Sequence, residues 1–279
     1  MKISLIVTTY NRQKEMEKLF NTIRDNKYDN LEVIVVDQSS NNSIKELCDY
    51  FKKQLCIKYV KAGRMSLSKA RNLGIKSVTG ELIGFPDDDC WYEENFLNEI
   101  SKIFEDENIH AICTGVYDPI NNIPYSSIES KTPVVKINSF NVFKYTTSVG
   151  IFIRKDIISF FDENLGIGAK WYGGEDIDYT LRLLHNNKNL YYYNELKVYH
   201  LYNPDYVNIE KEFKYTIGYG AVIGKAYRYY NFKLSALFKY YSVLFKFKLY
   251  SLAGINKELY NTRISGMKKG FKEYRQSSD

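Results

Sequence analysis

Within the first hundred residues, short apolar runs alternate with stretches of helical periodicity, and few topologies tolerate that rhythm. The runs are "KISLIVTTY", "LEVIVVD", "CIKYV" and "ELIGF". Between them Met16, Leu19, Phe20 and Ile23, then Ile44, Leu47, Cys48 and Phe51, recur at helix spacing, and another helix is expected from about Ser66 to Ser77. Leu31–Asp37 is apolar at nearly every position, as a strand covered on both faces requires. Strands and helices alternating over short connections build right-handed βαβ units and a parallel sheet. The expected class is therefore α/β, a mostly parallel sheet flanked by helices. Ligands of such sheets bind beyond the carboxyl ends of the strands. The polar residues that end the runs, Thr8, Thr9, Asp37 and Asp87–Asp89, are the first candidates for a site.

After Asn108 the rhythm changes. "HAICTGVYD" and "TTSVGIFIRK" read as strands, separated by a polar stretch holding Pro119, Pro124 and Pro133. A loop with Gly166, Gly168, Gly173 and Gly174 precedes the helix "EDIDYTLRLLHNN". The strands "LYYYN" and "KVYHLY" follow, and from about Asn208 the pattern is helical, basic and aromatic.

The stretch "GFPDDDCWY" delivers three carboxylates at a strand end. On an extended chain successive side chains point to opposite sides, so Asp87 and Asp89 would face one point and Asp88 away from it. Two converging carboxylates repel unless a cation sits between them. Hard oxygen ligands with an open coordination shell suit Mg²⁺ or Mn²⁺ shared with a substrate's phosphates. The bland alternative is an aspartate cap on a helix starting near Glu93.

Charge and cysteines narrow the classes. The net charge is +6, yet from Lys225 to Asp279 twelve Lys/Arg stand against three Asp/Glu, so the basic excess is concentrated in the tail. Such a tail suits an anionic membrane surface or a nucleic acid, and no nucleic-acid reader motif accompanies it. Cys48, Cys56, Cys90 and Cys113 have neither disulfide nor zinc spacing. With no signal peptide or spanning segment visible, a cytoplasmic chain is expected, peripheral on the inner face of the cell membrane if the tail meets lipid.

The stretches "SLIVTTYNR", "EVIVVDQSS", "SKARNLGIKSVTGELIGFPDDD" and "GGEDIDYTLRLL", in that order, resemble family 2 glycosyltransferases of the GT-A fold, over roughly Lys2 to Tyr202. The resemblance implies transfer of a sugar from a nucleotide diphosphate donor, UDP-sugars favoured, with inversion and help from Mn²⁺ or Mg²⁺. It implies a catalytic domain over 1–205, with a nucleotide-binding half over 1–108 and an acceptor half over 109–205, then a helical extension over 206–279. Thr8, Thr9, Tyr10, Arg12, Asp37, Lys69, Arg71, Asp87 and Asp88 would line the nucleotide pocket. Asp89, Asp87 and His200 would hold the metal, and Asp176 would be the catalytic base with Glu175 beside it.

An acceptor hydroxyl needs a carboxylate within hydrogen-bond reach, and a helix start keeps one ionised. Acids are also routine in a first helical turn. Trp171 and Tyr172, with Gly174, stand just ahead of that base, and aromatic faces stack on sugar rings. The acceptor would be a saccharide, free or on a polyprenyl diphosphate, as in surface-polysaccharide or capsule assembly. Leu234, Phe238, Tyr241 and Phe245 recur at helix spacing among lysines, the profile of an interfacial helix on anionic lipid or of a cover for a dimer partner. A dinucleotide-binding dehydrogenase is excluded, because "TTYNRQ" lacks the glycine fingerprint. A sugar nucleotidyltransferase and a non-catalytic carbohydrate-binding or partner subunit stay open as alternatives.

Overall fold

The computed structural model describes residues 1–124, 132–201 and 207–276. In chain order the elements are β1 (Ile3–Thr9), α1 (Gln13–Asp25), β2 (Leu31–Asp37), α2 (Ser43–Phe51), β3 (Ile57–Lys61), α3 (Leu67–Ile75) and β4 (Leu82–Gly84). Then come β5 (Cys90–Tyr92), α4 (Phe96–Ile103), β6 (Ala111–Asp118), β7 (Ile123–Pro124), β8 (Val134–Lys136), α5 (Val142–Tyr145) and β9 (Ile151–Arg154). The chain ends in α6 (Glu175–His185), β10 (Leu190–His200), α7 (Ile209–Tyr229), α8 (Lys233–Leu252) and α9 (Lys257–Gln276).

The chain forms two compact units. The first comprises Met1–Ile137, Lys144–Phe160 and Lys188–Tyr202. It carries the whole sheet, in the order β3-β2-β1-β4-β9-β6-β10-β5. β3, β2, β1 and β4 run parallel, β9 is antiparallel to β4 and β6, and β6 and β10 are parallel again. The α/β class with a mostly parallel central sheet is thus present. The stripes of α1 and α2 are buried where their periodicity places them, against a β2 buried at all seven positions. The strand order turns back between β1 and β4, the place where such sheets open a crevice.

Three local readings change. "LYYYN" and "KVYHLY" form one long strand, β10, whose register shifts between Tyr193 and Lys197. In "TTSVGIFIRK" a 3-10 turn over Ser148–Gly150 precedes the short β9. The aspartate run is a turn rather than extended chain, closed by Cys90 N–H donating to the Asp87 carbonyl at 3.3 Å. The strict alternation of the three carboxylates therefore does not apply.

The second unit comprises Asn138–Phe143, Phe161–Asn187 and Asn203–Asp279. It gathers α6 with α7, α8 and α9. The expected boundary at 205/206 falls at residues outside the described ones. α7 and α9 meet at backbone distance through glycines: a Cβ on Gly270 would lie 1.9 Å from the Ile217 carbonyl oxygen. α6 is tied to α7 by charge. Lys225 Nζ lies 2.8 Å from Asp178 and 2.7 Å from Asp162, and Tyr230 donates its hydroxyl to Asp178 at 2.7 Å. No helix among the described residues is long and apolar enough to cross a membrane.

Candidate active site

In the first unit, the loops after β1, β2 and β4 assemble a charged cluster. Thr8 pairs with Asp87 in an isolated parallel bridge, which carries the β1–β4 alignment past the end of β4. The turn then divides its three carboxylates. Asp87 Oδ1 accepts from Arg71 Nη2 at 2.9 Å, and Arg71 is fully buried. Asp88 and Asp89 share one guanidinium nitrogen, Arg12 Nη1, at 3.0 and 2.5 Å. Asp88 is buried rather than turned away, and that burial pushes its carboxyl up to about 6 against the pull of Thr9 and Arg12.

His200 arrives from more than a hundred residues away. β5 continues directly from the aspartate turn and pairs antiparallel with β10, setting His200 opposite Cys90. That register brings His200 Nε2 to 3.1 Å from Asp89 Oδ1. Burial opposes charge on both groups. The bond to His200 and its charge, with Arg12, nevertheless hold Asp89 at about 2, and the same bond raises His200 above its ordinary value.

The donor set suits a divalent cation. His200 Nδ1 lies 2.7 Å from the Leu201 carbonyl, so Nδ1 carries the proton and Nε2 turns toward Asp89. With Nε2 protonated His200 pairs with Asp89 directly, and with Nε2 deprotonated the same two atoms, 3.1 Å apart, could share a cation. Two cis ligands on an octahedral cation at about 2.1 Å are themselves about 3.0 Å apart. Among the described residues no group of three or more His, Cys, Asp or Glu forms a ready-made cage. Mg²⁺-type sites are often completed by one or two carboxylates and substrate phosphates rather than by such a cage.

Asp37 and Lys69 sit differently from expectation. Asp37 is fully buried and its oxygens are taken: Ser39 N–H donates at 2.8 Å, Tyr59 hydroxyl at 2.7 Å and Lys61 Nζ at 3.1 Å. Rather than offering a free carboxylate, it shapes the loop after β2, where Ser39 Oγ accepts from Asn11 N–H at 2.8 Å. Lys69 is exposed, about 200° around α3 from the buried Arg71. Tyr10 is partly exposed and covered by Arg64, whose guanidinium carbon lies 3.8 Å from the ring centroid. Arg64, Tyr59 and Lys61 went unnoticed in the sequence. Lys61 was findable, since it follows directly on "CIKYV" as Asp37 ends "LEVIVVD", and the parallel register pairs the two.

In the second unit, Gly174 in the left-handed region (φ 80°) caps the start of α6. Three acids occupy its first turn, with different surroundings. Asp178 is fully buried and held by Lys225, Tyr230 and Arg182 Nε at 3.2 Å. Glu175 is buried, and Asp176 is the half-buried one. Trp171 is only 4% exposed, with Tyr274 5.8 Å away, so its ring fills the interior instead of presenting a face to a sugar. Tyr172 is half-buried and edge-on to Tyr215 at 4.9 Å.

The model of the family described as Glycosyl transferase family 2 matches residues 4–160. A GalNAc(5)-diNAcBac-PP-undecaprenol beta-1,3-glucosyltransferase of Campylobacter jejuni is 24% identical over 216 residues, covering 75% of this chain and 67% of that protein. Residues 1–349 of S. aureus TarS in complex with UDP superpose with a TM-score of 0.62 at 16% identity, covering 99% of this chain and 92% of that one. A mannosyltransferase from Pyrobaculum calidifontis, in complex with GDP-Man and Mn²⁺, gives 0.67 at 14% identity, covering 96% and 86%. At such identities the likeness concerns the fold alone. The match spans only 15% to 33% of the first curated relatives' own length.

Proposed function

The chain belongs to glycosyl transferase family 2, and from that premise we propose that it moves a sugar from a nucleotide diphosphate donor to a hydroxyl of a saccharide acceptor. The observation that carries this reading is the convergence of Asp89, His200 and Arg12 at the turn after β4. A UDP-sugar is the favoured donor, supported by a relative of like fold that binds UDP. A lipid-linked acceptor of the surface-polysaccharide kind is supported by the Campylobacter relative's undecaprenol-linked substrate.

In this reading the reaction is a single inverting displacement. Asp176 takes the proton of the acceptor hydroxyl, whose oxygen bonds to the anomeric carbon as the bond to the diphosphate breaks. Asp176 suits the role because it is the partly exposed acid of its turn, while Glu175 is buried and Asp178 is committed to Lys225. Arg12 and Arg71 hold the aspartate turn in place. Asp89 and His200, with Asp87, would hold Mn²⁺ or Mg²⁺, which when bound offsets the charge gathering on the diphosphate. Tyr10 and Arg64 offer a stacked pair beside the nucleotide loops. Tyr172 replaces Trp171 as the aromatic candidate on the acceptor side.

The test is a panel of UDP-, dTDP- and GDP-sugars with lipid-linked or soluble glycan acceptors, read as nucleotide release with and without Mn²⁺. Acceptor-stimulated release from one donor supports the reading. Release that Asp176→Asn and Asp89→Asn leave unchanged would overturn the assigned roles.

A further inference from the structure

α8 is apolar on two opposite faces, and among the described residues only one of them is covered. On the inner face Ala236 and Ser251 are buried, Tyr240 stacks on Phe271 with centroids 4.1 Å apart, and Phe247 and Tyr250 pack on Tyr260 at 5.6 and 4.9 Å. On the outer face Leu234, Phe238, Tyr241, Phe245, Leu249 and Leu252 are each between 48% and 75% exposed. Their spacings of four, three, four, four and three residues put all six on one line along the helix, about 27 Å long. Phe140, itself exposed, lies 6.2 Å from Phe238 and extends the line at its start. A helix that is apolar all round is normally buried all round.

The charges say what covers the outer face. α8 carries four lysines and no acid. Lys239 turns inward over Phe143 and Tyr219, and burial lowers its pKa. Lys233, Lys246 and Lys248 are exposed. Lys248 borders the apolar line, about 57° from its centre on a helical wheel. A second copy laid along this face would set lysine against lysine with no acid on either helix, and like charges across an interface oppose pairing. An anionic surface meets the opposite situation. Lysine stems lie along apolar surface while their ammonium groups reach outward to phosphate.

We propose that the outer face of α8 seats the protein on an anionic lipid bilayer, with Leu234, Phe238, Tyr241, Phe245, Leu249 and Leu252 entering the headgroup–acyl boundary. Lys248 at the margin of that line, with Lys246 on the flank, engages the lipid phosphates. This is the surface profile of an interfacial helix, charged at its margin and aromatic and aliphatic at its centre. It stands apart from the transferase reading, because nothing in it requires a sugar donor.

The test is flotation of the full chain with vesicles of phosphatidylcholine alone or with about 30% phosphatidylglycerol, at about 50 and 500 mM salt. The chain is expected to float with the anionic vesicles and far less with the neutral ones, and to lose about tenfold of that binding at high salt. Phe245→Glu is expected to cut binding at least tenfold, and the double change Lys246→Glu with Lys248→Glu several-fold. Circular dichroism and melting temperature should be unchanged in both, because these side chains point outward. Absence of flotation, or flotation indifferent to Phe245→Glu, overturns the proposal. So does light scattering that shows a dimer which Phe245→Glu dissociates, since a second copy then covers the face.

Discussion

At the scale of single residues, the site is a matter of which charge answers which. Asp89 holds two partners, Arg12 and His200, and the His200 contact exists only because β5 and β10 pair in one register. His200→Ala is expected to weaken the affinity for Mn²⁺ by about 10–100-fold, seen as a raised half-saturating metal concentration in nucleotide-release assays. His200→Gln should recover part of it. A different carboxylate gives a cleaner test of pH. Glu32 is buried and accepts from Thr79 N–H at 2.6 Å, Gly80 N–H at 3.2 Å and the Ser4 hydroxyl, with Lys2 at 3.2 Å. Burial alone would raise it, but these bonds bring it down to about 2 from 4.5. A depressed carboxyl contributes stability that is complete above its unfolded value and fades as pH falls from about 4.5 toward about 2. Glu32→Gln should therefore cost about 1–3 kcal/mol at pH 7 by urea unfolding, and the gap to the natural chain should narrow at pH 3. An equal gap at both pH values would contradict this. Residue types at the site were legible because few chemistries place three carboxylates at a strand end. Their orientation was not, since a turn and an extended segment of the same sequence differ only in backbone angles.

At the scale of elements, the alternating half of the chain was read well because its helix stripes and strand runs obey local periodicities. The irregular half was read less well. β10 looked like two strands, because the stretch Tyr193–Lys197 breaks the pairing register without ending the strand. The tie between α6 and α7 left no local trace, since Asp178 and Lys225 are far apart in sequence and meet only in the packed unit. Lys225→Met should leave Asp178 and Asp162 without their shared cation and destabilise the fold by about 3 kcal/mol, read as a lower urea midpoint. Gly270→Ala tests a separate contact. The new methyl would lie 1.9 Å from a backbone carbonyl of α7, so the two helices must move apart. The expected cost is about 1–3 kcal/mol in the melting of the C-terminal helices.

At the scale of the whole molecule, the question is whether the C-terminal helices are an appendage or part of the fold. Sequence pattern favours an appendage, because composition turns basic and helical after about residue 208. The contacts argue otherwise, since residues 161–187, which carry Asp176, belong to the same compact unit as α7, α8 and α9. A fragment of residues 1–205 would therefore keep the sheet but strip α6 of its tertiary partners. Asp178 would lose Lys225 and Tyr230, and Gly174 would lose the α7 surface, where its Cβ position lies 2.7 Å from Val222. A lone helix of eleven residues is marginal in water. The fragment is expected to lose transferase activity while its sheet stays protected from hydrogen exchange, with fast exchange gained over about residues 161–187. Full activity in that fragment would mean that Asp176 does not depend on the helices behind it.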